Sequence, residues 1–483
     1  MTTMSRSSGR LLAWVTFSST CAVGAGCSII NAYPDVAPQS IADAGPTGSD
    51  SGTAIAEGGA DATTGATDGT LNDAGVGAAD GSSETGDSGP HGAIVIGGTI
   101  SDDGGEEFVL TALDPATGSE LAKARVPMIV SAVRYDGLRD LWYVFESGGQ
   151  GIFPLPTDPF YLHTRTLDPT TGVWTELGKI QIPAGVSFAT TTVVSQRVSY
   201  VAYGDGDAGA EDGGAPFSLV TLDTTAPAAV IVASTLPLAQ SYGAIAGTRS
   251  QVNPAGGFIT LGSTTKVGAS IFVQLTPVLL PSADPPAIEA PIVGTFAASS
   301  LFGLGTATIN GTMDALVVTR SSATGSPATL AIYDPSASDP TMSLIGAGTF
   351  PFNDSNINAP AFSVCEQTAF VVGTNADTSV HAVQIAATAA PVEGGVPALA
   401  STAAATGHSG QGVYFEPFTN TVLTPFSQGN NFALTAFTLG GTAGAPQLVQ
   451  RQAPFWVPPP DLRPNFIATR DPFPGTCPAQ GDR

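Results

Sequence analysis

The stretch FYLHTRTLDPTTGVWTELGKIQIP, residues 160 to 183, decides how the rest of the chain is read. Side chains alternate up to Leu167, the chain turns through Asp168-Pro169-Thr170-Thr171-Gly172, and a second run follows from Val173. Alternation with a period of two is the signature of a strand. Pro presets φ at the second turn position and Gly supplies a left-handed residue, so the two runs form a hairpin. The same turn stands 54 residues earlier as LDPATG (113–118), after FVLTALD (108–114) and before ELAKARVP (120–127).

Weaker copies keep the same step. FSLVTLD (217–223), IFVQLTP (271–277), TLAIYDP (329–335), HAVQIA (381–386) and FALTAFTL (432–439) are strands of the same kind. From Asp114 to Thr438 is 324 residues over six intervals, a mean of 54. Between these hairpins lies a second pair of strands, clearest as SAVRYDGLRDLWYVFE (131–146). Its second member recurs as VSYVAY, GGFITL, DALVVT, TAFVVG and NTVLTPF. The last hairpin is followed by a lone strand, NFIATR (465–470), whose missing partner has the pattern of AIVIGG (93–98). Residues 93 to 470 number 378, seven times 54. The pattern predicts an all-β, seven-bladed β-propeller of about 54 residues per blade, its ring closed by pairing of the N- and C-terminal strands. Such closure removes exposed sheet edges. The competing architecture is an array of two-sheet sandwiches. The uncharged stretch Ala290 to Met313, long enough for a membrane span, is predicted to be two strands and a turn because Gly, Ser and Thr recur through it.

The order of these elements, an inner strand with a Tyr-Asp-Gly turn, then LWYVFESGG, then LHTRTLDPTTGVWTELGKIQIP, resembles YVTN-type and kelch-type propeller repeats. The strand order of that family makes the SAVRYDG strand innermost and the WTELGKI strand outermost. Propellers with YVTN-like repeats include lactonases, so the resemblance carries a hydrolase acting at the axial channel as an alternative function. A fold shared by many activities does not itself assign one.

Composition narrows the function. The chain has 483 residues, 40 acidic against 16 basic, and a formal charge of -24, which a nucleic-acid backbone would repel. With 58 Gly and 38 Pro and only 12% charged residues, long surface helices and coiled coils are excluded. The N-terminus carries Arg6 and Arg10, then the apolar run LLAWVTFSSTCAVGAG and Cys27. This is the build of an export signal. Val23-Gly24-Ala25-Gly26-Cys27 resembles the lipobox of bacterial lipoprotein precursors, which implies cleavage after residue 26, a lipidated Cys27 and a membrane anchor. Ser28 after the Cys resembles the outer-membrane class, so the expected location is lipid-anchored at the outer membrane, facing the periplasm or the surface. From Tyr33 to Pro90 the chain carries ten acidic side chains and no Lys or Arg, with almost no aromatic residue. Such a segment cannot bury a core and reads as a disordered, self-repelling tether. The expected division is therefore 1–26 signal peptide, 27–92 lipidated Cys and tether, 93–471 propeller and 472–483 C-terminal tail.

Motifs for chemistry are sparse. His91, His163, His381 and His408 form no metal-ligand spacing, and the chain has no G-x-S-x-G elbow, phosphate loop or dinucleotide fingerprint. His163, inside an alternating strand, is expected to be a half-buried structural residue. The primary expectation is a binding or interaction module with a protein or glycan partner and no organic cofactor. Its candidate patch is acidic: Asp102, Asp103, Glu106 and Glu107 in one loop, Asp205, Asp207, Glu211 and Asp212 in another, with Phe153, Asp158 and Phe160 between them. The competing reading is a set of solvated loops that keep the protein soluble. Oxygen-rich loops with Gly also suit Ca²⁺, although neither has the full D-x-D-x-D-G spacing. In the propeller frame Cys365 and Cys477 fall near one end of the axis, which makes them a candidate disulfide in an oxidising compartment.

Overall fold

The computed structural model describes residues 93–470, less the stretches 103–104, 127–128, 138, 148–158, 169–170, 184–185, 195, 204–216, 241, 243, 250–256, 268–269, 281–286, 289–291, 298–299, 310–312, 322–328, 336–341, 350–356, 364–367, 374–378, 385–400, 406–412, 429–430 and 443–444. The expected signal peptide, lipidation site Cys27, tether and tail, and both Cys365 and Cys477, lie outside the described residues.

The described residues form an all-β propeller with no helix. In chain order the strands are β1 (Ile94–Asp102), β2 (Gly105–Leu113) and β3 (Glu120–Val126), then β4 (Ile129–Asp136), β5 (Leu141–Ser147), β6 (Phe160–Leu167) and β7 (Trp174–Ile182). There follow β8 (Val186–Val194), β9 (Arg197–Tyr203), β10 (Phe217–Asp223) and β11 (Ile231–Leu238). Next come β12 (Ala244–Arg249), β13 (Gly257–Val267), β14 (Ser270–Leu280), β15 (Ala287–Ile288) and β16 (Ile292–Ala297). The chain continues with β17 (Ser300–Ile309), β18 (Met313–Ser321), β19 (Thr329–Pro335) and β20 (Met342–Thr349). Then stand β21 (Ile357–Ser363), β22 (Thr368–Gly373), β23 (Ser379–Gln384) and β24 (Ser401–Ala405). Last are β25 (Tyr414–Glu416), β26 (Thr421–Gln428), β27 (Asn431–Thr442), β28 (Ala445–Trp456) and β29 (Leu462–Thr469).

These strands make antiparallel meanders β4-β5-β6-β7, β8 to β11, β17 to β20, β21 to β24 and β25 to β28. The sheet β12-β13-β14-β15 carries a fifth strand, because β16 also pairs with β14. The outer position there is thus split between two short strands, a departure from the repeat. One sheet, β29-β1-β2-β3, joins the two ends of the described chain. Ile94 pairs with Thr469 and Ile100 with Leu462, with a bulge at Gly97/Gly98. The 290–313 stretch falls on β16, β17 and the first residue of β18.

The first strands of successive sheets touch in the order β29, β4, β8, β12, β17, β21, β25 and back to β29, which closes a ring. Strand alternation gives a middle strand two buried faces, one for each neighbouring sheet. In β5, Trp142 and Val144 pack against Phe108, Leu110 and Val126 of the closing sheet. Tyr143 and Phe145 point the other way, to Tyr200 and Val220. Phe145 and Tyr200 meet edge to face at 5.7 Å. Each fully buried aromatic contributes roughly 1.5–3 kcal/mol of transfer free energy.

The Asp-Pro-x-Thr-Gly turns have a second task. Asp114 caps the backbone N–H groups of Ala116 and Thr117, and Asp168 caps that of Thr171. Gly118 and Gly172 take φ of +74° and +69°. A Cβ at Gly172 would stand 2.5 Å from Ala122 Cβ, and one at Gly118 would stand 2.4 Å from the carbonyl of Phe455. Only Gly lets these turns press on the outer strand of the preceding sheet.

Candidate functional site

The densest group of buried ionisable side chains lies on one face of the β4–β7 sheet. The expected alternation of β5 and β6 brings Glu146, His163 and Arg165 to the face that holds Trp142 and Val144. Glu176 joins them from β7, beside Arg165 at a bulge. His163 Nε2 lies 2.9 Å from Glu146 Oε2, off the direction of a hydrogen bond, and Nδ1 lies 2.8 Å from Glu176 Oε2. Arg165 Nη2 donates to Glu146 Oε1 at 3.0 Å and to Glu176 Oε2 at 3.4 Å. Arg165 Nη2 also stands 3.4 Å from His163 Nδ1. The two carboxylates thus offset the buried guanidinium.

The balance is needed because of the opposite wall. Phe108, Leu110, Ala112, Leu121, Ala122, Ala124 and Val126 from β2 and β3 pack on this face. An apolar wall offers no compensating dipole, so every charge must find its partner within the β4–β7 sheet. The Glu146 side chain is fully buried and His163 nearly so, whereas that of Glu176 is 47% exposed. The partial burial of Glu176 works to raise its carboxyl, but the His163 hydrogen bond and the charges of His163, Arg165 and Lys179 outweigh it and hold the group below the ordinary carboxylate range.

A second set of polar groups ties neighbouring sheets at the turns between first and second strands. Arg139 bridges Asp136 at 2.8 Å, the Tyr143 hydroxyl at 2.5 Å and Thr224 Oγ1 of the next sheet at 2.7 Å. Burial pushes the Tyr143 phenol up to about 12, against the pull of Thr224 and Arg139. One ring position away, the Arg470 Nε donates to Tyr135 Oη at 2.8 Å, its Nη2 pairs with Asp140, and its guanidinium lies 5.8 Å from the Phe418 ring. Arg470 thus reaches both sheets that flank the closing one. Glu416, fully buried, accepts the backbone N–H groups of Phe418 and Thr419 at 3.1 and 2.9 Å. Burial raises its carboxyl in spite of those bonds. Asp140, Gln196 and Asn420 share a left-handed backbone, with φ between 52° and 59°, at the same point of three such turns. That is a conformation to which Asp and Asn are better suited than bulkier residues.

The acidic patch read from the sequence is only partly within the described residues. Asp102 pairs with Gly105 and Ser101 with Glu106 at the tip of the β1–β2 hairpin. Glu107 is exposed and ion-paired to Arg125. Phe160 corrects the expectation: it is 1% exposed and packs with Leu162, Ile182 and Val220, because alternation along β6 sends it to the inter-sheet core. Asp103, Phe153, Asp158, Asp205, Asp207, Glu211 and Asp212 lie outside the described residues. The strand ends that flank them are described: Asp102/Gly105, Ser147/Phe160 and Tyr203/Phe217. All are at the end of their sheets away from the Asp-Pro-x-Thr-Gly turns, in three sheets that follow one another round the ring. His163 is more deeply buried than half, and its partners Glu146, Arg165 and Glu176 were not singled out in the sequence. Charged residues at alternate positions of a strand whose neighbours are apolar, as in His163 and Arg165, are the signal that would have found them.

No protein-family profile and no curated protein matches the chain. Among solved structures, a candidate 6-phosphogluconolactonase of Bacteroides fragilis NCTC 9343 is 11% identical with a TM-score of 0.49 and covers 81% of this chain and 100% of its own. The Pseudomonas aeruginosa periplasmic gluconolactonase PpgL is 14% identical with a TM-score of 0.45, over 78% and 99% of the two chains. Sqt1 from Chaetomium thermophilum is 12% identical with a TM-score of 0.42, over 71% and 78%.

Proposed function

We propose that the chain is an exported, lipid-anchored binding module, a propeller of seven blades held away from the membrane by an acidic tether. Each sheet is read as one blade, with β29-β1-β2-β3 closing the ring. The observation that carries the binding reading is that the β1–β2, β5–β6 and β9–β10 connections leave three consecutive sheets at one end. Those connections contain Asp102, Asp103, Asp158, Asp205, Asp207, Glu211 and Asp212, so a cationic protein or glycan surface is the partner that charge favours. The buried ionisable groups support the same view, since Glu146, His163 and Arg165 pair with one another inside the β4–β7 sheet and Arg139 ties Asp136 to Thr224 of the next sheet.

Cross-linking on intact cells followed by purification of the tagged protein supplies the partner for the test. Replacing Asp205, Asp207, Glu211 and Asp212 by Asn or Gln should lower its capture at least tenfold, and added salt should weaken wild-type capture, while the melting temperature stays unchanged. Capture that survives both changes overturns the acidic-face reading. Hydrolysis of sugar lactones by the purified propeller at enzyme-like rates would move the assignment to the hydrolase alternative. Calorimetry with CaCl₂ on the same two proteins decides whether the loops bind Ca²⁺.

A further inference from the structure

We propose that Glu146, His163, Arg165 and Glu176 form an acid-sensitive latch that holds the β4–β7 sheet against the closing sheet near neutral pH and loosens it when the pH falls. Glu146 and Glu176 are the two carboxylates set against the Arg165 guanidinium and the His163 ring. Glu176 is the member that water reaches, with 47% of its side chain exposed against 0% for Glu146. A proton on Glu176 neutralises the oxygen that faces His163 Nδ1 and Arg165 Nη2. The Arg165 guanidinium and the His163 ring then have Glu146 as their one carboxylate, and less negative charge offsets the buried guanidinium in front of an apolar wall.

The groups that face the quartet can be named element by element. Its own sheet contributes Glu146 from β5, Arg165 and Tyr161 from β6, and Lys179 from β7, whose Nζ sits 4.2 Å over the Tyr161 ring. Tyr135 of β4 lies further along the same face, against Trp142, and its hydroxyl is held by Asp140 and Arg470. The packed residues of β2 and β3 are apolar. Glu107 and Arg125 pair with each other, as do Glu120 and Lys123, and Glu120 also accepts from Trp456 on the opposite side of the closing sheet. The facing wall therefore supplies no anion that could stand in for Glu176.

The sign follows from Glu176, whose carboxyl is held below its ordinary range. A depressed carboxyl contributes stability that is fully present above the unfolded value of about 4.3, and it is lost as the pH falls through the lower folded value. Loosening accordingly sets in on the acid side of the unfolded carboxyl range.

Fluorine NMR on protein carrying 5-fluorotryptophan reads this interface directly. Trp142 and Trp174 meet there edge to face, 5.9 Å apart, while Trp456 reports the other face of the closing sheet and is compared in a Glu120→Gln background, which removes the carboxylate its Nε1 meets. With resonances assigned by single Trp→Phe variants, titration from pH 7 to 3 should move the Trp142 and Trp174 signals at a higher pH than that of Trp456. Glu176→Gln should hold both signals at their acid position already at pH 7 and abolish their titration. A wild type in which all three signals move together has simply unfolded in acid, and that result overturns the latch. A Glu176→Gln protein that titrates like the wild type overturns it too. Should Glu176→Gln fail to fold, the order of the wild-type signals alone decides.

Discussion

His163 and His381 occupy the same register position in two sheets. Each sits on the third strand, opposite Val144 in one case and Val371 in the other, three residues past the start of the second strand. Their surroundings differ at every point that matters. Where the first has Glu146, Arg165, Glu176 and Lys179, the second has Gly373, Val383, Ser401 and Ala403. His163 is wedged between two carboxylates and acts as a bridge. Burial drives the His381 ring down to about 4, so it is neutral near pH 7. One residue type at one position of a repeat can thus stand in different electrostatic surroundings, set by the neighbouring strands.

Four substitutions, in three comparisons, sharpen that contrast. The largest effect is expected for Glu146→Ala, which leaves Arg165 and His163 buried with one carboxylate between them, and should cost about 3–5 kcal/mol in urea unfolding. His381→Leu should act mainly through pH. In the wild type the unfolded chain takes up a proton below about pH 6.5 that the folded ring refuses until about 4. Stability therefore decreases as the pH falls across that window, by up to about 3 kcal/mol, and the Leu variant should lose that slope while keeping the decline at lower pH assigned to Glu176. Equal slopes in the two proteins would show that His381 is not the neutral one. The smallest contrast compares glycines. Gly172→Ala should cost roughly 2 kcal/mol or more, from its positive φ and the 2.5 Å approach to Ala122. Gly440→Ala, with nothing within 4 Å, should shift the melting free energy by no more than about 0.5 kcal/mol.

The repeat was legible because it is written in backbone needs. Asp-Pro-x-Thr-Gly encodes a turn, and alternation in FYLHTRTL encodes a strand, so strand order and the pairing of AIVIGG with NFIATR could be read in one dimension. The same alternation misled at Phe160, since it marks which side of a sheet a residue takes but not whether that side meets water or another sheet. Here both sides meet sheets. The quartet was missed for a related reason. Glu146, His163 and Glu176 are brought together by register across three strands, and a β-bulge at Thr164/Arg165 adjusts which residue faces which. A period of two contains no information about a one-residue slip in the partner strand.

The closing sheet also determines how the molecule would carry mechanical load. β1, the first described strand after the proposed tether, is not at the edge of its sheet: it is paired with β2 along nine positions and with β29 along seven. Tension entering from the N-terminal side therefore meets a strand gripped on both flanks, and one flank is the far end of the chain, with Thr469 lying 375 residues from its partner Ile94. Extracting β1 means breaking two ladders together, and through Arg470 the pull is shared with Asp140 on one side of the closing sheet and Phe418 on the other. A propeller closed in this way can be pulled from its N-terminal side without unravelling from that end first.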